Sequence, residues 1–471
     1  MYRIGASLSG FELQLLNRVR EANAAAQINT LRLATNKKIN FPRDNPSGYI
    51  QLANWETQQT VVAAARANVT AASALVSQTQ LVLDQIRTQL STIRTKALAD
   101  VDQALTADER TANQAAIDSA IAEISELTAT EVNGRRILDG SASYVVSGVD
   151  NLQISDIEVI NLGDYPSQTI TGEVTVAATQ AELTFATGAG NATDDATFTL
   201  TGDRGSVAIS VTDGESIGTV AERINQESYL TGVVAETDGN DLVLSSVAYG
   251  SRADIEVDVT SGTFVVTGGN GDGTAQGINA TAVIENQTYT GDGNQVSVFS
   301  NGLQYAIEFA DGFSGTFDPI TVSGEALSFS LTTDVRHKAN LAIPGLQPSR
   351  LGGPSGRLSD LLSGGTLGGL GNNAPYAVGI VDEALSRLTA IEARVDGFAD
   401  ATISSSSALL SGFNTNLTAA INSVNEVDDE EEQSLLLKNE ALAGNAIAAL
   451  AILDRQRADI VKLIQSIAGL A

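Results

Sequence analysis

Apolar residues, with one threonine among them, recur at alternating steps of three and four over the segment 62–97. The positions are Val62, Ala65, Val69, Ala72, Val76, Thr79, Leu83, Ile86, Leu90, Ile93 and Ala97. Such a heptad repeat predicts one long helix whose narrow apolar seam must pack lengthwise against partner helices. At about 1.5 Å of rise per residue, this helix would extend on the order of 50 Å.

Similar helical patterns occur at both ends of the chain. Residues 1–35 carry a weak, alanine-rich stripe that includes Leu8, Phe11 and Leu15. Near the C-terminus, one seam holds Val381, Leu388, Val395 and Leu409, and an interleaved seam holds Ala384, Ile391 and Phe398. The last helix has a stronger repeat at Leu435, Leu442, Ala446, Ala449, Leu453, Ile460, Leu463 and Ile467. The sequence therefore predicts a long, coiled-coil-like helical bundle formed by the N- and C-terminal segments.

The middle of the chain has a different pattern. From about residue 143 it is rich in Gly, Thr and Asp, and its apolar residues alternate with a period of two, which predicts strands. The stretch 216–226 has helical spacing instead, so we predict a compact β-α-β module over about 196–260. A second β part is predicted over about 263–333. The predicted fold class is multidomain α+β, mainly α at both termini with a central β-rich head.

Composition excludes several classes of function. The 471 residues carry 27 Lys and Arg against 56 Asp and Glu, for a formal net charge of −29. A surface this acidic repels nucleic acid and anionic lipid, so neither is an expected partner. Cysteine is absent, which excludes disulfides and thiolate metal sites. The N-terminus shows no signal-peptide pattern, and we judge no segment apolar enough for membrane insertion.

A resemblance to a known family begins in the loop 33–48. Bacterial flagellins carry the pattern Leu-Ser-Ser/Thr-Gly-x-Arg-Ile-Asn-x-Ala-x-Asp-Asp-x-Ala-Gly after their first helix, and this loop resembles it. Lys38 stands for the usual basic residue and Asn45 for the second Asp. The identical positions are Leu33, Ile39, Asn40, Asp44 and Gly48.

Two further segments resemble the same family. The string Thr130 to Gly140 is similar to the flagellin string Thr-x-Phe-Asn-Gly-x-x-Leu-Leu-x-Gly, with Val132 in place of the aromatic residue. The stretch Glu215 to Val259 resembles the small β-α-β module often inserted in flagellins and filament caps. The C-terminal helices match in layout more than in residues.

The resemblance implies a domain organisation. Residues 1–40 and 430–471 would be the two filament-core helices, and 41–165 and 376–429 the two halves of a helical rod domain. The β-rich outer domain would span 166–335. A Gly-, Pro- and Ser-rich stretch predicts a flexible connection over 336–375.

The resemblance also implies a function. The chain would be a structural subunit that self-assembles into the extracellular flagellar filament and supports motility. Its implied partners are further copies of itself, the flagellar export apparatus and chaperone, and the filament cap and junction proteins. Two alternatives remain open, namely the hook–filament junction protein and, in a different class, a secreted adhesin whose β head binds glycans.

Family positions carried onto this sequence give candidate subunit contacts, and the apolar repeats of the terminal helices give candidate packing residues. Subunit contacts are expected at Leu33, Lys38, Ile39, Asn40, Asp44, Asn45 and Gly48. Core-helix packing is expected at Leu8, Phe11, Leu15, Leu435, Leu442, Leu453, Ile460 and Leu463. The segment 90–97 aligns with the part of many flagellins that animal innate receptors read, which makes Arg94 a candidate receptor contact.

Catalytic chemistry has little support in the sequence. The single histidine, His337, lies between two basic residues and is expected to be a solvated junction residue. The glycine-rich run 268–273 does not have the spacing of a calcium or phosphate loop, so we interpret it as a turn. The sequence therefore predicts no enzyme, no cofactor and no metal site.

Overall fold

The structure is a computed structural model, and it describes residues 10–102, 105–132, 134–163, 165–467 and 469. Two compact units divide the chain. The first joins Met1–Ala67 with Ser407–Ala471, and the second is Asn68–Ser406. The helices are α1 (Gly10–Thr35), α2 (Pro46–Asp102), α3 (Ala107–Ala129), α4 (Ile217–Gln226), α5 (Ser228–Thr231), α6 (Ala374–Gly397), α7 (Ser405–Asn425) and α8 (Asp429–Ile467).

In the first unit, α1 packs along α8. Glu12 near the start of α1 bonds to Arg457 late in α8, whereas Asn29 near the end of α1 bonds to Asn439. The two helices are therefore antiparallel. Helix α1 ends where Asn36 adopts a left-handed backbone conformation, with φ of 52°.

The long heptad helix predicted from the sequence is confirmed as α2. All eleven predicted seam positions are buried, from Val62 to Ala97. The next helix, α3, starts at a capping box in which the Thr106 side chain and Glu109 satisfy each other's backbone N–H groups. The sequence also predicts a turn at Asn133-Gly134 after α3, and of these two residues the structure describes only Gly134.

The centre of the second unit is rich in strands, as predicted. A small hairpin, β1 (Glu131–Val132) and β2 (Arg135–Arg136), comes first. The later strands are β3 (Val145–Ser147), β4 (Ile154–Asn161), β5 (Ser167–Val176), β6 (Glu182–Ala186), β7 (Ala196–Gly202), β8 (Gly205–Val211), β9 (Val233–Asp238), β10 (Asp241–Ser246), β11 (Asp254–Gly262), β12 (Val266–Thr267), β13 (Thr274–Gln276), β14 (Thr281–Ile284), β15 (Gln287–Thr290), β16 (Gln295–Ser300), β17 (Leu303–Phe309), β18 (Gly315–Ser323), β19 (Leu327–Phe329), β20 (Ala339–Leu341), β21 (Gly352–Gly353) and β22 (Gly356–Arg357). Together with the terminal helices, these strands confirm the predicted fold class.

One β core is formed by strands that are distant in sequence. A five-stranded sheet of order β15-β14-β5-β18-β3 and a three-stranded sheet of order β16-β17-β4 bury a common set of apolar side chains, Tyr305 and Phe317 among them. Strands β3 and β4 belong to this core, which agrees with the period-two pattern from about residue 143; residue 166, the predicted start of the outer domain, lies between β4 and β5. Periodicity along the sequence cannot show such pairing.

The predicted β-α-β module forms the other β core. The sheets β12-β6-β10-β9 and β13-β11-β7-β8 pack with α4, whose apolar face buries Ile217, Val220 and Ile224. The Phe264 ring stacks between Phe185 and Phe198, at 3.9 Å and 4.2 Å between centroids. This core draws on strands from β6 to β13, so it extends beyond the predicted limits of about 196–260 on both sides.

Residues 336–375 differ from the flexible connection that was predicted. The segment contains β20, β21 and β22, and the Gln114 side chain on α3 donates to the carbonyl of Leu361 at 2.7 Å. Apolar side chains placed between the glycines explain the difference, because burying them stabilises one conformation. The buried residues include Leu341, Ala342, Ile343, Leu346, Leu351, Leu358, Leu361, Leu370 and Ala374.

A π-helical segment, Phe398–Ser404, connects α6 to α7 and shifts the heptad phase. Leu409, predicted on the buried seam, is 54% exposed, whereas the next residue, Leu410, is only 2% exposed. A π turn contains one more residue than an α turn, which moves the buried positions from 402 and 409 to Ile403 and Leu410. The predicted burial of Leu409 is therefore wrong.

By length and composition alone, two helical stretches among the described residues are apolar enough to cross a membrane. They are Pro46–Val101 and Gly371–Ser466. The prediction that no segment is apolar enough for membrane insertion is therefore wrong with respect to composition. Core helices of soluble proteins meet the same criteria of length and composition.

Candidate assembly interface

Buried charge lies at one end of the α1–α8 pair. The Glu12 side chain is almost fully buried, and Arg457 Nη2 donates to its Oε2 at 2.9 Å. Such a charge-assisted hydrogen bond offsets part of the cost of burying the Glu12 carboxylate.

A larger polar cluster lies toward the other end of the pair. Asn29 donates to the buried Glu432 carboxylate, and Arg32 Nη1 donates to the same carboxylate at 2.8 Å. Asn439 completes the cluster by donating from Nδ2 to Asn29 Oδ1 at 3.0 Å. Burial acts to raise the pKa of Glu432, but the hydrogen bonds from Asn29 and Arg32 outweigh it and lower the pKa. Glu432 therefore stays ionised within the helix pair.

The loop between α1 and α2 is held by its own side chains. Asp44 Oδ2 accepts hydrogen bonds from the backbone N–H groups of Phe41 at 2.9 Å and Asn40 at 3.0 Å. These bonds, that from Phe41 above all, lower the pKa of the exposed Asp44 carboxyl. The Asn40 side chain in turn donates to the carbonyl of Lys37 at 2.7 Å. Polar residues at these positions give the loop a defined turn.

Asn45 and Gly48 fix the start of α2. Asn45 Oδ1 accepts a hydrogen bond from the N–H of Gly48 at 3.0 Å, as an N-terminal cap does. A Cβ on residue 48 would lie 2.7 Å from Asn45 Nδ2 and 2.8 Å from Ile39 Cδ1. Only glycine fits at this position without displacing those side chains.

The loop is attached to α7 through Asn425, a residue that the sequence reasoning missed. The Asn425 carbonyl accepts from the N–H of Lys38 at 2.8 Å, and its side-chain Oδ1 accepts from the N–H of Ile39, also at 2.8 Å. Ile39 and Asn425 are both buried. The only signal in the sequence was an asparagine at the end of a helical run, which is too common to single out.

The seven expected contact residues of the loop thus lie in one small structure. Ile39 and Gly48 are buried, Leu33 and Asn40 are half-buried, and Lys38, Asp44 and Asn45 are exposed. Their described bonds fold the loop within one chain. Contacts to another copy remain a prediction for all seven.

The expected core-helix residues differ in how far they are buried. Leu15 is buried, and Leu435 and Leu453 are half-buried. Leu8 lies outside the described residues. The remaining members are exposed in the single chain, namely Phe11, Leu442, Ile460 and Leu463.

Helix α8 carries exposed apolar side chains around most of its circumference. Ala443 and Ala446 lie on its buried side. Large apolar residues that stay exposed, either on the other faces or near the C-terminal end of α8, would normally be covered in a stable protein. These exposed residues are Leu437, Leu442, Ile447, Ile452, Ile460, Val461, Leu463 and Ile464.

Arg94, the candidate receptor contact, is part of an ion pair with α6. Its Nε donates to Asp382 Oδ1 at 2.6 Å and its Nη2 to Oδ2 at 3.2 Å. Both side chains are about 40% exposed, so the pair lies at the surface of the second unit. Receptor recognition through Arg94 stays a prediction.

The remaining polar candidates do not form a reactive site. His337 is exposed, with Nδ1 3.2 Å from Asp334 Oδ2. The glycine-rich run 268–273 is the turn between β12 and β13, with positive φ at all four of its glycines. In the part of the chain that the structure describes, no three His, Cys, Asp or Glu side chains are grouped so as to hold a metal ion.

Taken with the helix pair formed by the two ends of the chain, these features define a structural protein whose terminal helices are suited to packing with further helices. Comparison with known proteins agrees. The family model "Bacterial flagellin N-terminal helical region" matches residues 8–143, and "Flagellin hook IN motif" matches residues 197–248. These matches support a flagellin-family protein and indicate a flagellar structural protein. They point to a non-enzymatic role and an extracellular location.

Solved structures of flagellar proteins are also similar to parts of the chain. The D1-D2-D3 domains of the flagellar cap protein FliD from Escherichia coli match at 17% identity, covering 51% of this chain and 64% of that chain, with a TM-score of 0.28. The match thus spans less than two thirds of that cap protein. FlgL from Xanthomonas campestris matches at 9% identity over 78% of this chain and 99% of that chain, with a TM-score of 0.29. The search of curated proteins gave no match.

Proposed function

We propose that this chain is the subunit of the flagellar filament and polymerises through its terminal helices. The observation that carries the proposal is the set of exposed apolar residues on α8, which one chain leaves uncovered. In a polymer of identical copies, terminal helices of neighbouring subunits would cover these residues. Burial of apolar surface stabilises by about 25 cal/mol per Å², so it would favour assembly. Copies of the same chain are therefore the main proposed partner.

The string Thr130 to Gly140 favours a filament subunit over a hook–filament junction protein. It contains Asn133-Gly134, as flagellins do, where an aromatic-glycine form is expected of junction proteins. The proposed role places the chain in the extracellular filament. It also implies association with the cap and junction proteins and passage through the flagellar export apparatus with its chaperone.

Seeded growth tests the proposal. Purified full-length protein is mixed with short filament seeds, and elongation is followed by light scattering and electron microscopy. We expect the wild type to grow long filaments and Ile460→Asp/Leu463→Asp to fail, because two charges would be buried among apolar helices. Val265→Asp, which changes an equally exposed apolar residue in the β-rich region, is the matched control and should grow.

The other outcomes separate the alternatives. A wild type that adds to hook ends in a single layer without elongating would be a junction protein. A wild type that stays monomeric with seeds and binds carbohydrate through residues 166–335 would be an adhesin. Growth of the Ile460→Asp/Leu463→Asp variant at the wild-type rate would show that the exposed face of α8 is not the polymerising surface.

A further inference from the structure

We propose that the β-α-β module is a hinged lid over a charged cleft and that Arg204 is the latch that holds the lid closed against α6. The whole module comprises residues 181–275, whose apolar side chains form a core of their own. Every residue involved lies within the second compact unit, Asn68–Ser406. The inference therefore does not depend on the terminal helices or on whether the chain polymerises.

The module joins the rest of this unit at a narrow neck. The chain enters the module after Thr179 and leaves it before Ile278, and these two residues form an isolated antiparallel bridge. The apolar core on the other side of the neck ends at Ala178 and resumes at Ala280, so the two cores are separate. Two short segments that cross side by side without a shared apolar core can act as a hinge.

Asn279 identifies the pivot of this hinge. Its Oδ1 accepts a hydrogen bond from the N–H of Ser251, in the module, at 2.8 Å. The same oxygen accepts from the N–H of Gly293, outside the module, at 3.1 Å. One side chain thus holds the two sides of the neck together at the point about which the module would turn.

A cleft of about 950 Å³ lies between the module, the three-stranded sheet and α6. Charged side chains from all three line it, among them Asp203 and Arg204 of the module, Asp156 and Glu158 of β4, and Arg387 of α6. Helix α5 of the module lies beside α6. A polar boundary of this kind permits relative motion unless a specific contact prevents it.

Arg204 makes that contact. It lies in the turn between β7 and β8, and its Nη2 donates to Glu383 Oε1 on α6 at 2.9 Å. The two side chains are only 24% and 15% exposed. Ser355 holds the Glu383 carboxylate in place by donating from its N–H at 3.0 Å and from its Oγ at 2.6 Å. Removing one partner of a largely buried ion pair is strongly unfavourable, so this pair is able to hold the lid.

Helix α6 leaves space for the Arg204 guanidinium. A Cβ on Gly379 would lie 3.1 Å from Arg204 Nη1. Gly379 and Glu383 are four positions apart, so they share one face of the helix. Glycine inside a helix is unfavourable relative to alanine, and the close approach of Arg204 gives a reason for it here. The helix thus offers the latch an open position and, one turn later, a carboxylate.

Distances between spin labels report the position of the lid. Because the chain has no cysteine, labels can be attached at introduced cysteines. Gln85→Cys on α2 is combined with Asp238→Cys or with Asp258→Cys in the module, all at exposed positions. Two module positions are used because a label close to the axis of rotation would move little. Double electron–electron resonance on the full-length protein gives the distance distribution of each pair.

Arg204→Ala and Glu383→Gln each remove the latch. For the wild type we expect one narrow distance distribution, and for each variant a distribution at least about twice as broad, because the module is then free to turn at the neck. The double variant should broaden no further, since both changes remove the same contact. Arg252→Ala is the matched control: Arg252 also pairs across the boundary, with Asp292, but is 81% exposed and should leave the distribution unchanged.

Amide hydrogen exchange in β10 shows whether the module stays folded, because this strand contributes Leu242 and Leu244 to the core of the module. Its protection should match the wild type in every variant. The proposal is overturned if the latch variants keep the narrow distribution, if Arg252→Ala broadens it equally, or if broadening is accompanied by lost protection in β10. None of these results depends on filament growth, so the seeded-growth test of the proposed function can fail separately.

Discussion

Asn425 Oδ1 accepts a hydrogen bond from the backbone N–H of Ile39 at 2.8 Å, joining residues 386 positions apart in the chain. The same asparagine accepts from Lys38 through its carbonyl, also at 2.8 Å. A single side chain at the end of α7 thus holds the loop that leads into α2. Most of the positions that match the flagellin pattern lie in that loop.

Replacing this side chain should loosen the loop. Asn425→Ala leaves the N–H of Ile39 without its acceptor beside a buried side chain, and we expect a loss of about 1–3 kcal/mol in the free energy of unfolding. Amide hydrogen exchange at Ile39 should accelerate, whereas exchange in the centre of α1 should not. Chemical denaturation of the full-length chain measures the first quantity, and exchange read by mass spectrometry measures the second.

Asn416→Ala is the matched control, because Asn416 is an exposed asparagine of the same helix. We expect its effect to stay within about 0.5 kcal/mol. Equal protection of the Ile39 amide in the Asn425→Ala variant and the wild type would show that the loop is held by other contacts.

Adjacent leucines in α7 test the phase shift at the π-helical segment. Leu410 is 2% exposed and Leu409 is 54% exposed. We therefore expect Leu410→Ala to cost about 2–4 kcal/mol, through lost burial and the cavity left behind, and Leu409→Ala less than about 0.5 kcal/mol. Denaturation of the two single variants provides the measurement, and each serves as the control for the other. If Leu409→Ala lost more stability than Leu410→Ala, the buried seam would include Leu409, as heptads without a π turn predict.

Much of the fold could be predicted from sequence because it depends on local patterns. The seam from Val62 to Ala97 is regular enough to predict each buried position of this part of α2, and Thr106 followed by two acidic residues is typical of a helix N-cap. The failures have non-local or conformational causes. The pairing of β5 with β14 and β18 depends on strands far apart in the chain, and the π turn before Leu410 leaves no mark in the composition.

The candidate interface was less predictable. Resemblance selected the loop residues but not Asn425, which contacts the loop from the other end of the chain. Heptad spacing selected Leu442, Ile460 and Leu463, yet these lie on faces that a single chain leaves exposed. Glu12 and Glu432 were missed as buried groups, because a charged residue in a helix is ordinarily expected to be solvated.

Ion pairs at different depths should differ in their effect on stability. Arg387 on α6 bonds to Asp156 on β4, and both side chains are less than a quarter exposed. Burial acts to lower the pKa of Arg387, but Asp156 outweighs it and raises the pKa. Arg387→Ala leaves Asp156 half-buried and unpaired, so we expect a loss of about 3 kcal/mol.

The surface pair formed by Arg94 and Asp382 is the comparison. Arg94→Ala should cost no more than about 1 kcal/mol, because both side chains of the pair are already well solvated. Chemical denaturation of Arg387→Ala and Arg94→Ala measures which variant loses more stability. The double variant Asp156→Ala/Arg387→Ala should recover part of the Arg387→Ala loss, since it leaves neither charge alone. Equal losses for Arg387→Ala and Arg94→Ala would contradict the difference in depth.

In the β-α-β module, Glu215 gives a prediction about pH. The Arg223 guanidinium bonds to its carboxylate and is the main reason that the pKa of Glu215 lies below its ordinary value, although burial acts in the opposite direction. The N–H of Thr212 also donates to it, at 3.1 Å. Because the pKa is lower in the folded state, the ionised carboxylate stabilises the fold above the ordinary glutamate pKa of about 4.3. This contribution is lost as the pH falls through the lowered folded pKa.

Glu215→Gln should therefore destabilise the chain at neutral pH and have less effect in acid. We expect a loss of about 1–2 kcal/mol at pH 7, from the weakened hydrogen bonds to Arg223 and Thr212, and a difference from the wild type that shrinks between about pH 5 and about pH 3. Amide hydrogen exchange in β8, measured at each pH, reports the stability of the module itself. Glu222→Gln, at an exposed position of α4, is the control and should change stability little at any pH. A difference between Glu215→Gln and the wild type that stays constant from pH 7 to pH 3 would show that the charge of Glu215 does not stabilise the module.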